Sequence, residues 1–173
     1  FFATGGRTSN GLLAILTGIP DGTGLSSVHS TLSMATFSGL GDILREAGYK
    51  TLFVSGSNLD FENLSPHIKK WGFDRILSQE DISSWTKNKT GIWGYSDNDV
   101  YDVVNDISSN YTDKKPFAIV VLTISTHYPY DLPDKKFDVF KSSNRDYKFL
   151  NAYRYSDWAL ANFINKAKKE QYF

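Results

Sequence analysis

The stretch of this chain best suited to chemistry is GGRTSNGLLAILTGIP at residues 5–20. Two glycines, an arginine and a threonine lead straight into an apolar, helix-forming run. That order puts a hydroxyl and free backbone N–H groups at a helix N-terminus, where the dipole favours an anion. Gly5 and Gly6 let the backbone approach a ligand closely, and Arg7 offers a fork of donors matched to phosphate or sulfate. Thr8 is therefore the candidate nucleophile of a phosphoryl- or sulfuryl-transfer site. The competing reading is that Thr8 or Ser9 merely caps the helix, the commoner use of such a residue. A threonine hydroxyl is a weak nucleophile until a base or metal activates it. No His, Lys or carboxylate stands beside Thr8 in the sequence, which favours a metal as the activator.

His127, in STHYPY, is the second candidate. It directly follows an apolar strand-like run, and Pro129 stiffens its loop. There it can bind a phosphate oxygen or act as an acid–base. Phe61 and Asn63 offer an aromatic and an amide after an earlier strand. The alternative, that residues 61–63 open an ordinary helix, stands equally. His67 reads as a surface or packing residue and His29 as a loop residue, neither with metal-ligand spacing. Trp71, Trp85, Trp93 and Trp158 read as core or rim packing. Asn63, Asn88 and Asn110 each begin an N-x-S/T tripeptide, a pattern that arises often by chance.

The elements that must position these groups follow from apolar periodicity. Residues 11–17 form the first helix, stopped by Gly18 and Pro20, and 21–33 form a polar loop. A helix at 38–48 ends on glycine, followed by a strand at 50–54. A helical pattern at 60–71 has Asp60 as its cap, with Pro66 marking a late start or a kink. Residues 73–77 form a short strand, and 78–94 wrap the surface. Asp97 opens an amphipathic helix with Val100, Val103, Val104 and Ile107 on one face. The continuous apolar run at 117–124 has the pattern of a central strand buried on both faces. Its exit loop is 125–133, and a long helix spans about 147–169. Helices alternating with apolar strands give an α/β fold with a largely parallel sheet. Ligands gather beyond the carboxyl ends of such strands, so the loops before Thr8, at 55–60 and at 125–130 are expected on one rim.

Composition narrows the function classes. The 173 residues suit a single domain, and 40% hydrophobic content can bury roughly 70% of the unfolded surface. Zero net charge gives no electrostatic footprint for nucleic acid. The absence of cysteine excludes disulfides and thiolate metal sites. The longest apolar run falls far short of the ~20 residues of a membrane span.

Five blocks in order carry a family resemblance: GGRTSNGLLAILTGIP; FVSGSNLDFENL with KKWGFDRIL; WGYSDNDVYD; KPFAIVVLTISTHYPY; and YRYSDWALANFI. Together they resemble the lipoteichoic acid synthase and phosphoglycerol transferase branch of the sulfatase (alkaline phosphatase) superfamily. The resemblance implies an α/β sandwich with a largely parallel sheet flanked by helices, with residues 1–173 a truncated piece of one catalytic domain. It implies a domain on the extracellular face of the cell membrane, tethered by a region missing from this chain. Thr8 is then nucleophile and metal ligand, for manganese above magnesium or calcium, and His127 contacts the transferred glycerol-phosphate. Arg7, Phe61 and Asn63 complete the substrate contacts. The remaining metal ligands, an upstream acid and a downstream Asp-His pair, are expected outside these residues, so the fragment alone should turn over little substrate.

The substrate so implied is an anionic phospholipid headgroup or glycan, with no nucleic acid. Synthases of this branch often carry tryptophan and arginine where this chain has Phe61 and Asn63. That difference leans toward a related transferase or hydrolase rather than glycerol-phosphate polymerisation. A formylglycine sulfatase is disfavoured because that residue is made from Cys or Ser. Two other readings keep the fold: a sulfatase-like or phosphodiester hydrolase, and a catalytically incomplete domain that binds an anionic ligand.

Overall fold

The computed structural model describes residues 5–22, 27–88 and 90–173, Leu32 by its backbone alone. Among the described residues six helices and three strands follow one another: α1 (Thr8–Thr17), α2 (Leu40–Glu46), β1 (Lys50–Ser55), α3 (Leu64–Lys70), β2 (Arg75–Leu77), α4 (Gln79–Ile82), α5 (Asp97–Ser109), β3 (Phe117–Leu122) and α6 (Tyr147–Ala167). Short 3-10 turns at Ser27–His29, Thr31–Met34, Phe61–Asn63 and Lys135–Phe137 join them. The strands form a parallel sheet in the order β2-β1-β3, as the alternation of helix and strand predicts. Among the described residues no helix is long and apolar enough to cross a membrane.

The sheet order corrects one expectation. The apolar run at 117–124 reads as a strand buried on both faces, yet all six residues of β3 are only half-buried. The central strand is β1, with five of its six residues buried. A continuous apolar run specifies apolar surroundings but not rank in the sheet, and among the described residues β3 pairs only with β1.

Two compact units divide the chain. The first comprises Phe1–Phe53, Leu59–Ile76 and Asp113–Val120. In it Thr51 and Asp74 lock together: the Asp74 carboxylate accepts from the Thr51 N–H at 3.0 Å, and the Asp74 N–H donates to the Thr51 hydroxyl at 2.9 Å. Phe53 meets Phe73 edge to face at 5.6 Å, the geometry ring quadrupoles prefer. His67 is buried, with Nε2 3.2 Å from the Val28 carbonyl oxygen, so it is a packing residue. Burial holds its pKa below the ordinary value. Trp71 also belongs to the core, and His29 is exposed.

Helix α3 starts at Leu64, later than the pattern at 60–71 suggests. Pro66 then lies in its first turn, where a missing N–H costs no helical bond. Asp60 is not its cap; that position is Asn63, in the left-handed conformation.

The second unit comprises Val54–Asn58, Leu77–Thr112 and Val121–Phe173. Here α5 packs along α6, with Tyr101 stacked on Phe163 at 5.1 Å. Tyr155, Phe137 and Ala159 form a buried cluster. Asn151, wholly buried on α6, accepts from the N–H groups of Val139 and Phe140 and donates to the Phe140 carbonyl. This pins the segment before α6, at Val139 and Phe140, to the helix. The surface stretch at 78–94 contains α4 and a tight turn that pairs Gly91 with Gly94.

Candidate active site

Helix α1 begins at Thr8, with Arg7 as its N-cap in extended backbone. This separates the two readings of Thr8. It does not cap the helix; it is the first helical residue and is exposed, while Ser9 and Asn10 behind it are buried. The helix also starts three residues before the apolar run that announced it, because Asn10 organises its entry. Asn10 Oδ1 accepts from the Arg7 N–H at 3.0 Å, and Nδ2 donates to Asp21 at 2.7 Å. Gly5 is needed for a different reason from close ligand approach: a Cβ there would overlap the Asn10 side chain. Around Gly6 the space is open.

Asp21, 3% exposed, is the anchor below this turn. Burial pushes its pKa up, but hydrogen bonds from Ser27, Asn10 and the Gly22 N–H outweigh it and hold the carboxyl below its ordinary 3.8. A depressed folded-state pKa stabilises the protein above 3.8 and loses that contribution as pH falls through the lower folded value. Asp21→Asn should therefore lower unfolding free energy at pH 7 by about 1–3 kcal/mol. The deficit should shrink on acidification below 3.8, as chemical denaturation at several pH values would show.

Glu62 is the group that sequence proximity did not reveal. The Arg7 guanidinium donates to its carboxylate at 2.8 Å across 55 residues, and the Glu62 side chain is only 10% exposed. Burial raises its pKa, yet the Arg7 guanidinium, as hydrogen-bond donor and as charge, helps bring it below the ordinary value. Glu62 is thus a fixed counter-ion that orients Arg7 beside Thr8. Arg7 remains 60% exposed and keeps donors for a ligand. Phe61 is exposed, and Glu62 and Asn63 take positive φ values of 58° and 53°. Residues 61–63 are therefore not the first turn of an ordinary helix. Arg7, Thr8 and the 61–63 turn all belong to the first unit.

His127 belongs to the second unit. Asp97 sets the path of its loop. This wholly buried carboxylate accepts from the N–H groups of Ile124 and Ser125, both at 2.9 Å, and from the Ser156 hydroxyl at 2.6 Å. The Asp97 N–H in turn donates to the Ser125 hydroxyl at 3.0 Å. Beside it, the Tyr155 hydroxyl donates to Ser96, and Ser96 to Asp99. Burial pushes the Tyr155 phenol up to about 12. His127 itself is exposed and lines a cleft of about 470 Å³ whose walls include Trp93, Asp99, Asp131, Lys136 and Trp158.

Among the described residues no three His, Asp or Glu side chains gather to hold a metal ion. Glu62 is committed to Arg7, which leaves the Thr8 oxygen as one candidate donor near the first site. One hydroxyl does not make a metal site, so these residues do not fit a resident cation unaided.

Three comparisons place this architecture. A protein of the alkaline phosphatase superfamily from Vibrio parahaemolyticus is 32% identical, aligns over 99% of this chain and 41% of its own, and superposes with a TM-score of 0.80. The lipoteichoic acid synthase LtaP from Listeria monocytogenes gives a TM-score of 0.81 at 19% identity, over 98% of this chain and 42% of its own. The phosphoglycerol transferase I of Escherichia coli is 30% identical over 96% of this chain and 23% of its own length. The fold is that of the alkaline phosphatase superfamily. With the sulfatase family profile matching residues 1–173, the chain belongs to the sulfatase family, and the relatives it resembles include phosphoglycerol transferases. It spans about a quarter of the curated relatives it matches.

Proposed function

We propose that this chain carries the nucleophile of a phosphoglycerol transferase-like enzyme, and that Thr8 is that nucleophile. The observation that carries the reading is the exposed Thr8 hydroxyl at the first position of α1, next to an arginine already oriented by the half-buried Glu62 carboxylate. Thr8 Oγ attacks the phosphorus of a lipid or glycan phosphodiester and loses its proton as the P–O bond to the leaving alcohol breaks. That alcohol departs protonated, leaving the headgroup phosphate on Thr8. An acceptor hydroxyl then attacks the same phosphorus, gives up its proton and restores the threonine.

Arg7 neutralises charge on the equatorial oxygens, aided by the free N–H groups of the helix end. Phe61 and Asn63 contact the headgroup, and His127 binds the transferred group. The polar and aromatic walls of the cleft beside His127 suit a hydroxylated acceptor. Superfamily members generally use divalent metals. Manganese is the cation proposed here, with Thr8 the one ligand these residues would supply; such an ion would supply charge stabilisation and a more acidic nucleophile. Membrane attachment and an extracellular location belong to the same proposal.

The test is covalent capture. Full-length protein mixed with phosphatidylglycerol and quenched in acid should carry a glycerol-phosphate adduct on the peptide containing Thr8, seen by mass spectrometry. An adduct on another residue, or turnover with no adduct at any quench time, would sink the reading.

A further inference from the structure

We infer that Trp93 is a positioning residue for His127, holding its imidazole in one tautomer with only Nε2 available to substrate; the inference rests on the proposed role of His127. Two donors converge on one acceptor. The Trp93 indole N–H donates to the Tyr128 carbonyl oxygen at 2.6 Å, and His127 Nδ1 lies 2.7 Å from the same oxygen. A carbonyl oxygen only accepts, so Nδ1 carries the hydrogen. The indole and imidazole rings also touch in a tilted arrangement, centroids 4.3 Å apart and planes 50° from parallel. Trp93 therefore acts twice: its ring limits rotation of the imidazole, and its N–H fixes the carbonyl that selects the tautomer.

The consequence is chemical. In the neutral ring Nε2 has a lone pair, and in the charged ring it has a hydrogen to donate to a phosphate oxygen. A free imidazole favours the opposite tautomer, with hydrogen on Nε2. The clamp thus opposes an intrinsic preference, as partners of functional histidines commonly do. The sequence places Trp93 34 positions from His127, and its backbone is held where it can reach: the Tyr95 N–H donates to the Gly56 carbonyl at 2.9 Å, and Gly94, with φ of 135°, comes so close to Gly56 that a Cβ would overlap its carbonyl.

The experiment uses the full-length protein labelled with ¹⁵N-histidine. Wild type should show the neutral His127 ring with hydrogen on Nδ1. Trp93→Ala should shift the population toward Nε2–H, and Trp93→Phe, which keeps a ring but not the N–H, should shift it less. Transfer from phosphatidylglycerol should fall roughly 10- to 100-fold in kcat for Trp93→Ala, with KM for the lipid little changed. Adding Trp93→Ala to His127→Ala should cost nothing further, because both remove one unit of function. An unchanged tautomer in Trp93→Ala, or losses that multiply in the double variant, would overturn the inference. Full activity in His127→Ala would instead refute the proposed role of the histidine, with the tautomer measurement still reporting on the clamp.

Discussion

Thr8→Ala is expected to abolish transfer, by at least on the order of 10⁴-fold in kcat, while leaving the folded protein intact. The size of the effect follows from the role: without Oγ no covalent intermediate forms, and the remaining binding groups cannot replace the lost bond. The selectivity follows from position. Thr8 is exposed at the first helical residue, and the entry of α1 is held by Asn10 and Asp21. Alanine is at least as good a helix former, so stability should change by less than about 0.5 kcal/mol. Thermal unfolding and a single-turnover assay on the same preparation separate the two. Thr8→Ser should retain measurable turnover because it keeps the oxygen. Substantial activity in Thr8→Ala would remove the central claim.

Asp97→Ala should be the most destabilising single change at the candidate site, by about 3–5 kcal/mol. Three donors converge on this carboxylate: two N–H groups at the exit of β3 and the hydroxyl of Ser156 on α6. Truncation strands all of them, in a place no water reaches readily, since Asp97 is wholly buried. It also removes a negative charge from the first turn of α5, where the dipole favours one. Asp97→Asn keeps one acceptor oxygen but turns an NH₂ toward a donor, so an intermediate loss is expected. Urea denaturation would order the three proteins. Equal stability of wild type and Asp97→Ala would show that the exit loop is fixed by other contacts.

Thr8 and His127, whose roles rest on the proposal above, stand out in the sequence because of their local setting: glycines and an arginine before a helix, and a histidine after an apolar strand. What holds them does not. Asp97 announced itself only as a helix opener, since an aspartate in a first turn looks alike whether or not it also binds a distant loop. Glu62 stayed hidden because its partner Arg7 is 55 residues away, and Trp93 because nothing local distinguishes a histidine's partner from ordinary packing. The capping reading of Thr8 failed because Asn10 reaches back to the Arg7 amide and starts the helix earlier. Among the described strands the apolar run at 117–124 lies at one end of the order rather than its middle, because side-chain character does not encode rank within a sheet. Local patterns name candidates, and tertiary pairing leaves no local mark.

The turn at residues 61–63 also bears on how the proposed headgroup contacts can drift in descendants of this protein. Phe61 is exposed and its own φ, unlike those of Glu62 and Asn63, is not positive, so many side chains can be tried there at little cost. Asn63 sits two positions away at a φ of 53°, a conformation that asparagine tolerates better than most residues. Most replacements at 63 must carry a backbone penalty of about 1–2 kcal/mol before any new contact is tested. Mutational exploration at this edge of the site is therefore lopsided: the aromatic position can wander, and the amide position is held back by its own backbone.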